Sequence, residues 1–250
     1  MVSVEVESNY EEMSKKAARE VGKEILMHQA PVLGLPTGET PKGMYRLLVK
    51  YYEHGLVDFS NVTTFNLDEY YGISKDHPKS FNHYMKRHLL ERVNLREENF
   101  HVPEGEIPRR DVRDYCGKYE NKIKQAGGID LQLLGIGTNG HIGFNEPGTG
   151  FDTRTRLVEL AEETLEYSFD NLNEAPDKAI TMGINTIMEA SKIVLLASDN
   201  RKKRAVRRAL EGPITEEWPG SVLQLHPDVT AILDEKAAED LELSRVNLTG

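Results

Sequence analysis

Two adjacent carboxylates follow one of the apolar runs of the chain and could move protons. Asp68 and Glu69 come just after the run at residues 62–66. A carboxylate at the end of a strand can act as a general base when its surroundings tune its pKa. The alternative is that one of the two only caps the next turn. Either carboxylate is therefore a candidate base, and a capping role stays open for both.

A glycine-rich loop at residues 135–147 brings a histidine close to an amide and a carboxylate. Asn139 precedes His141 by two residues, and Glu146 follows it by five. An imidazole with such partners is a candidate acid–base group, although a lone histidine is more often structural. The glycine spacing also matches the dinucleotide pattern. The residues that follow are poor helix formers, however, and that fingerprint requires a helix.

The segment after the apolar run at residues 31–35 has the features of an anion site. Thr37, Gly38 and Thr40 lie between this run and a predicted helix that has Pro41 as its first residue. Free backbone N–H groups and hydroxyls at a helix N-terminus suit a phosphate. The Gly-Lys-Ser/Thr ending of a nucleotide P-loop is missing, and an ordinary strand–helix turn is the alternative.

A basic segment at residues 201–208 follows another apolar run. It carries six positive charges, and the four at residues 201–204, which include Lys202, fall in the first turn of a predicted helix, where they oppose the helix dipole. A nearby anion would explain this placement, and a solvated basic face is the alternative. The segment is therefore a candidate contact of an anionic substrate, with no single residue of it singled out by the charge pattern.

Apolar runs and amphipathic segments alternate along the chain. Strands are predicted at residues 31–35, 62–66, 131–134, 192–197 and 229–233. Helices are predicted at residues 9–25 with Asn9 as cap, 40–55 with Thr40 as cap, 80–92, 109–125, 201–211 and 235–241. This alternation predicts an α/β fold with an open, mainly parallel sheet and helices on both faces, in a single domain over residues 1–250. Ligands of such sheets bind beyond the carboxyl ends of the strands.

The overall composition argues against several classes of function. The 250 residues carry a formal net charge of −10, which disfavours a broad nucleic-acid surface and requires a local basic pocket for an anionic substrate. Cys116 is the only cysteine, so neither an internal disulfide nor a cysteine metal cluster can form. No apolar run reaches the roughly 18 residues of a membrane helix, and the acidic N-terminus lacks a secretion signal. A cytoplasmic protein is predicted.

Four segments, at residues 34–41, 65–70, 140–147 and 221–227, together resemble the glucosamine-6-phosphate deaminase (isomerase) family. The resemblance implies isomerisation and deamination of glucosamine 6-phosphate to fructose 6-phosphate and ammonia. The wider superfamily includes 6-phosphogluconolactonases, but Phe-Asn-Glu-Pro at residues 144–147 resembles the deaminase branch. A related aminosugar-phosphate isomerase, a lactone hydrolase and a non-catalytic sugar-phosphate sensor remain as alternatives.

The resemblance also implies roles for individual residues. Asp68 matches the base that moves a proton between carbons 1 and 2, and His141 matches the group that opens the pyranose ring. Glu146 matches the carboxylate that assists this opening, and Asn139 occupies a position that is Asp in some members. Lys202 matches a phosphate ligand. The expected partner is a small-molecule sugar phosphate, and no metal or organic cofactor is implied.

Two departures from the family pattern concern the phosphate, and one concerns regulation. Glu39 replaces a second glycine, and Tyr167 stands where a phosphate-binding arginine is usual. Allosteric members use a basic pocket in which this chain has Arg156, but Val158 replaces a lysine. An allosteric hexamer is therefore not favoured, and the sequence does not fix the oligomeric state.

Overall fold

The computed structural model describes residues 2–161, 175–242 and 247–248. The strands are β1 Ser3–Glu7, β2 Val32–Leu35, β3 Thr63–Asn66, β4 Asp68–Tyr71, β5 Phe100–His101, β6 Leu131–Gly135, β7 Arg156–Glu159, β8 Lys178–Thr181, β9 Lys192–Ala197, β10 Val229–Asp234 and β11 Asn247–Leu248. The helices are α1 Tyr10–Met27, α2 Lys42–Glu53, α3 Phe81–His88, α4 Val112–Gln125, α5 Ile184–Met188, α6 Lys203–Glu211 and α7 Glu235–Ala238. Short 3₁₀ turns include Asn200–Lys202 and Pro219–Leu225.

Eight strands form the main sheet, in the order β11-β1-β10-β9-β6-β2-β3-β5, and every neighbouring pair is parallel. This confirms the predicted α/β class. Because the strands run in one direction, their carboxyl ends share one edge of the sheet. The four strands that precede the candidate residues, β9, β6, β2 and β3, are consecutive along that edge.

Successive residues of the central strands face opposite layers of helices. In β9, Ile193 and Leu195 belong to the buried cluster that contains α4, α5 and α6, whereas Val194 and Leu196 belong to the cluster that contains α1 and α2. Both faces of the sheet are therefore covered, which explains why the central strands are continuous apolar runs.

A second sheet, with strand order β4-β8-β7, is antiparallel and was not predicted from the sequence. Strand β4 begins two residues after β3 ends, so the chain leaves the main sheet at Leu67 and enters the small one. Asp68 pairs with Thr181 at the first position of β4. Asp68 therefore lies where the chain passes from the main sheet to the small sheet.

The helix boundaries agree with the sequence in some places and differ in others. Asn9 caps α1 as predicted, with its Oδ1 accepting from the backbone N–H groups of Glu11 and Glu12. The prediction that Thr40 caps the second helix was wrong, because α2 begins at Lys42 and Pro41 occupies the cap position without a side-chain hydrogen bond. Among the described helices, none is long and apolar enough to cross a membrane.

Candidate active site

A cavity of about 550 Å³ opens at the carboxyl edge of the main sheet. The β2–α2 loop, the junction of β3 and β4, the loop after β6 and the 3₁₀ turn after β9 line this cavity. Of the eight predicted site residues, all except Glu146 line it: Thr37, Gly38, Thr40, Asp68, Asn139, His141 and Lys202. Segments far apart in the sequence therefore meet at one site, as the parallel sheet requires.

Asp68 is a buried carboxylate with an altered proton affinity. Its side chain lines the cavity, and the residue is only 8% exposed. Burial, together with the nearby charge of Glu69, raises the pKa of Asp68 to about 8. The carboxylate lies against Gly143, where an added Cβ would be 3.6 Å from Asp68 Oδ2. A carboxyl group with a pKa near neutrality can both take up and return a proton.

Glu69 does the capping that the sequence left open for either carboxylate. It accepts hydrogen bonds from Ser80 Oγ at 2.7 Å, from Phe81 N at 3.0 Å and from Asn82 N at 2.9 Å. These donors form the N-terminus of α3, where a negative charge is favourable. The two adjacent carboxylates therefore differ in function, since Glu69 holds a helix and Asp68 faces the cavity.

His141, Asn139 and Glu146 form a cluster in the loop after β6. His141 Nδ1 lies 3.3 Å from Glu146 Oε1, close enough for an ion pair when the imidazole is protonated. The angle is not that of a hydrogen bond, which leaves the buried Nδ1 without an aligned partner. Asn139 Nδ2 donates to Glu146 Oε2 at 2.7 Å, and its Oδ1 accepts from the His141 backbone N–H at 3.2 Å. Asn139 thus acts on the imidazole through Glu146 and through the backbone.

Close packing explains two glycines of the dinucleotide-like pattern, Gly137 and Gly140. A Cβ on Gly137 would lie 2.4–2.5 Å from three atoms of the His141 ring. Gly140 has a φ of 89°, and its Cβ would lie 2.6 Å from the Trp218 ring. A Cβ on Gly135 would meet nothing within 4 Å. The histidine ring therefore rests directly on the backbone of Gly137.

Two tyrosine hydroxyls donate hydrogen bonds to the backbone of the β2–α2 loop. Tyr84 OH donates to Gly38 O at 2.7 Å, and Tyr10 OH donates to Glu39 O at 3.2 Å. Gly38 has a φ of 96°, a conformation that favours glycine. Glu39 also lines the cavity, but its side chain is 71% exposed and pairs with Lys42, which compensates its charge.

Lys202 reaches the cavity from the turn that precedes α6. The turn Asn200–Lys202 follows Asp199, whose φ of 86° places a non-glycine residue in the left-handed region. Arg201 also lines the cavity, and its guanidinium pairs with Asp199 at 2.9 Å. Lys202 lies on the same wall. Tyr167, at the position of the family's arginine, lies outside the described residues.

A model of the family described as glucosamine-6-phosphate isomerases/6-phosphogluconolactonase matches residues 5–232. The chain belongs to this family. It is 52% identical over 233 residues to a glucosamine-6-phosphate deaminase of Thermoanaerobacter pseudethanolicus, covering 92% of this chain and 91% of the relative. It is 48% identical over 241 residues to a glucosamine-6-phosphate deaminase of Clostridium botulinum (strain Kyoto / Type A2), covering 95% and 98%. The predicted resemblance is confirmed.

Solved structures of the glucosamine-6-phosphate isomerase family agree with the observed fold. The structure of a monomeric glucosamine-6-phosphate deaminase has a TM-score of 0.92 and 43% identity, and it covers 96% of this chain and 100% of its own. A 6-phosphogluconolactonase from Trypanosoma cruzi has a TM-score of 0.80 but only 21% identity, with 97% of each chain covered. The second likeness shows the fold alone.

One wall of the cavity is aromatic and was not predicted from the sequence. Tyr70, Phe81 and Phe144 line the cavity and pack on one another, with ring centroids 4.7–6.0 Å apart. Tyr70 and Phe144 lie inside the family segments, where an aromatic residue is as typical of a core as of a binding wall. No local sequence pattern places Phe81 at the cavity, because its position depends on how α3 packs.

A second cavity, of about 680 Å³, lies between α4 and β7 and contains none of the predicted site residues. Its basic residues include Arg109, Arg113 and Arg154, and Arg154 is paired with Glu120 and Glu189. Within the described ranges, no group of three or more His, Cys, Asp or Glu side chains could hold a metal ion.

Proposed function

We propose that this chain converts glucosamine 6-phosphate to fructose 6-phosphate and ammonia, as the names of its relatives indicate for those proteins. The observation that carries the proposal is the cavity itself. The cavity contains Asp68, a buried carboxyl group of raised pKa, and His141, whose imidazole lies beside Glu146. The basic residues Arg201 and Lys202 and the loop that precedes α2 also line it. Proton transfer and phosphate binding are the two requirements of this reaction.

The substrate phosphate binds between the β2–α2 loop and Lys202. Backbone N–H groups and the hydroxyls of Thr37 and Thr40 supply neutral donors, and the ammonium of Lys202 supplies charge. Because the Glu39 carboxylate pairs with Lys42, it leaves this arrangement intact.

Two residues of the cavity carry out the acid–base steps: His141 acts in ring opening, and Asp68 acts in the isomerisation. His141 moves a proton between the sugar hydroxyl and the ring oxygen and so opens the pyranose, while Glu146 stabilises the imidazolium that forms. Asp68 then takes the proton from carbon 2 and returns it to carbon 1, while the proton that the nitrogen loses is balanced by the one that the oxygen on carbon 1 gains. The nitrogen left on carbon 2 is a ketimine, which water hydrolyses to the ketose and ammonia.

The experiment is a paired assay of ammonia and fructose 6-phosphate from purified protein and glucosamine 6-phosphate. We expect equal molar amounts of both products, and Asp68→Asn supplies the control for contaminating activity. Parallel incubations contain unphosphorylated glucosamine and 6-phosphogluconolactone. Turnover of the lactone alone would make the chain a hydrolase, and binding of the sugar phosphate without any product would make it a sensor.

We further propose that the chain acts as a monomer, as a single domain over residues 1–250, in the cytoplasm. The 43% identical relative is described as monomeric, which supports the first point. The continuous main sheet, to which strands from most of the chain contribute, supports the second.

A further inference from the structure

Glu69 has more hydrogen bonds than a helix cap requires. Its Oε1 accepts from the backbone N–H groups of Tyr70 and Phe81, and its Oε2 accepts from Ser80 Oγ and Asn82 N. The residue is 2% exposed. Four donors therefore converge on one buried carboxylate, and three of them belong to α3 or its cap.

The two elements that Glu69 joins carry opposite ends of the candidate site. Strand β4 has Asp68 as its first residue. Helix α3 carries Phe81, which lines the cavity, and Tyr84, which donates to Gly38 O in the β2–α2 loop. A continuous path of hydrogen bonds thus runs from the base strand through Glu69 and α3 to the phosphate-binding loop.

We propose that Glu69 is a positioning residue, which fixes the distance between the base and the phosphate-binding loop by tying β4 to α3. This inference rests on the proposed function. The bound phosphate places carbon 2 of the sugar beside Asp68 only if the distance between the β2–α2 loop and β4 is correct. A displacement of either element by about 1 Å therefore lowers turnover on the order of 100-fold. Glu69 touches neither the cavity nor the substrate.

Glu69 also acts on Asp68 through its charge. The titratable or charged groups near Asp68 are Glu69 and Tyr70 on its own strand, Tyr119 of α4, and four groups that line the same cavity, Glu39, His141, Arg201 and Lys202. Thr181 and Gly143, which pack against Asp68 from β8 and the loop after β6, are uncharged. Loss of the Glu69 charge removes the negative neighbour that adds to the effect of burial on the pKa of Asp68.

Two substitutions separate the geometry from the charge. Glu69→Gln keeps the shape but removes the charge, and its amide nitrogen faces backbone donors. Glu69→Asp keeps the charge but shortens the side chain. We expect kcat/KM for glucosamine 6-phosphate to fall roughly 10- to 100-fold in both variants. The acidic limb of the pH profile moves to lower pH in Glu69→Gln and stays near wild type in Glu69→Asp.

A third substitution tests the hydrogen bond between α3 and the β2–α2 loop. Tyr84→Phe removes only the hydroxyl that contacts Gly38 O, so we expect a raised KM with an unchanged acidic limb. If Glu69→Gln does not fold, Glu69→Asp and Tyr84→Phe still decide the question. Unchanged kcat/KM per folded molecule in these variants would overturn the inference. Lack of deamination by the wild-type protein would instead overturn the proposed function.

Discussion

Asp68 combines two properties that oppose each other, because it is buried and the proposed reaction needs it as an anion. Burial penalises the charged form, and the adjacent Glu69 adds like charge. The pKa of about 8 is the result. Below this pH the free protein holds Asp68 mostly protonated, so kcat/KM rises as the pH increases toward 8.

The first prediction concerns the activity of Asp68→Asn. The amide keeps the shape of the carboxylate but cannot take up the carbon-2 proton. We expect kcat to fall roughly 10²–10⁴-fold with a much smaller change in substrate binding. Steady-state kinetics and ligand titration measure the two effects. Turnover at the wild-type rate would exclude Asp68 as the base.

The second prediction concerns the stability of the same variant. The folded-state pKa of Asp68 lies above its unfolded value of 3.8, so the folded state binds more protons and loses stability as the pH rises from about 4 to about 8. Asp68→Asn removes this penalty. We expect a gain of about 2–5 kcal/mol above pH 8 that vanishes near pH 4. Thermal unfolding at both pH values checks this, and a gain that does not depend on pH would contradict it.

Single residues were only partly predictable from the sequence. Asp68 and Glu69 are neighbours of the same chemical type, and only the three-dimensional positions of α3 and the cavity separate their functions. Glu39 adds a like charge at the rim of the cavity, yet its carboxylate pairs with Lys42, which compensates that charge. Both outcomes depend on side-chain direction, which residue type and spacing do not determine.

At the scale of elements, the loop after β6 offers a matched pair of substitutions. Gly137→Ala puts a Cβ within 2.4–2.5 Å of the His141 ring, whereas Gly135→Ala meets nothing within 4 Å. We expect Gly137→Ala to displace the imidazole and lower kcat roughly 10- to 100-fold. Gly135→Ala should stay within about twofold of wild type. Equal losses in both variants would show that the glycines serve the backbone and not the histidine.

The turn before α6 offers a second matched pair. A charge-assisted hydrogen bond contributes roughly 1.5–3 kcal/mol, so Lys202→Ala should lower kcat/KM for glucosamine 6-phosphate about 10- to 150-fold. Lys203 does not line the cavity and pairs with Glu239 and Asp240. Because exposed ion pairs contribute little, Lys203→Ala should behave as wild type. If Lys202→Ala slows unphosphorylated glucosamine equally, Lys202 does not bind the phosphate.

The predicted and the missed elements differ in length and in burial. Strand β9 is six residues long and buried on both faces, so its apolar run identified it. The strands of the small sheet have four residues each, and β4 and β7 are rich in charged side chains. Their pairing comes from long-range contacts, which no local pattern encodes.

At the scale of the whole molecule, the order of strands explains why most of the predicted site residues lie together in one cavity. Four strands that carry candidate residues at their carboxyl ends are adjacent in the parallel sheet. The sequence predicted the parallel arrangement, and the arrangement alone was enough to bring the segments together. The aromatic wall and the hydrogen bonds by which Glu69 connects β4 to α3 depend on the positions of α3 and the small sheet. Local sequence patterns do not determine those positions, so these features could not be predicted in the same way.

The final prediction concerns regulation. Arg156 is half-buried and donates from Nη1 to Asn145 Oδ1 at 2.9 Å, beside Glu146, and it also lines the second cavity. Val158 packs against the cluster of Tyr70, Phe144 and Ala179, where the family's allosteric members have a lysine. An effector phosphate would therefore meet an apolar side chain at this position.

The proposed monomer has one active site and so no partner site through which substrate binding could become cooperative at equilibrium. We expect a sedimentation mass near 28.3 kDa and hyperbolic kinetics that do not change when N-acetylglucosamine 6-phosphate is added. The measurement is the initial rate across substrate concentrations, with and without that compound. A sigmoidal curve that shifts to lower substrate concentration on its addition would mean that Arg156 binds the effector without the lysine, and that the chain associates into an allosteric assembly.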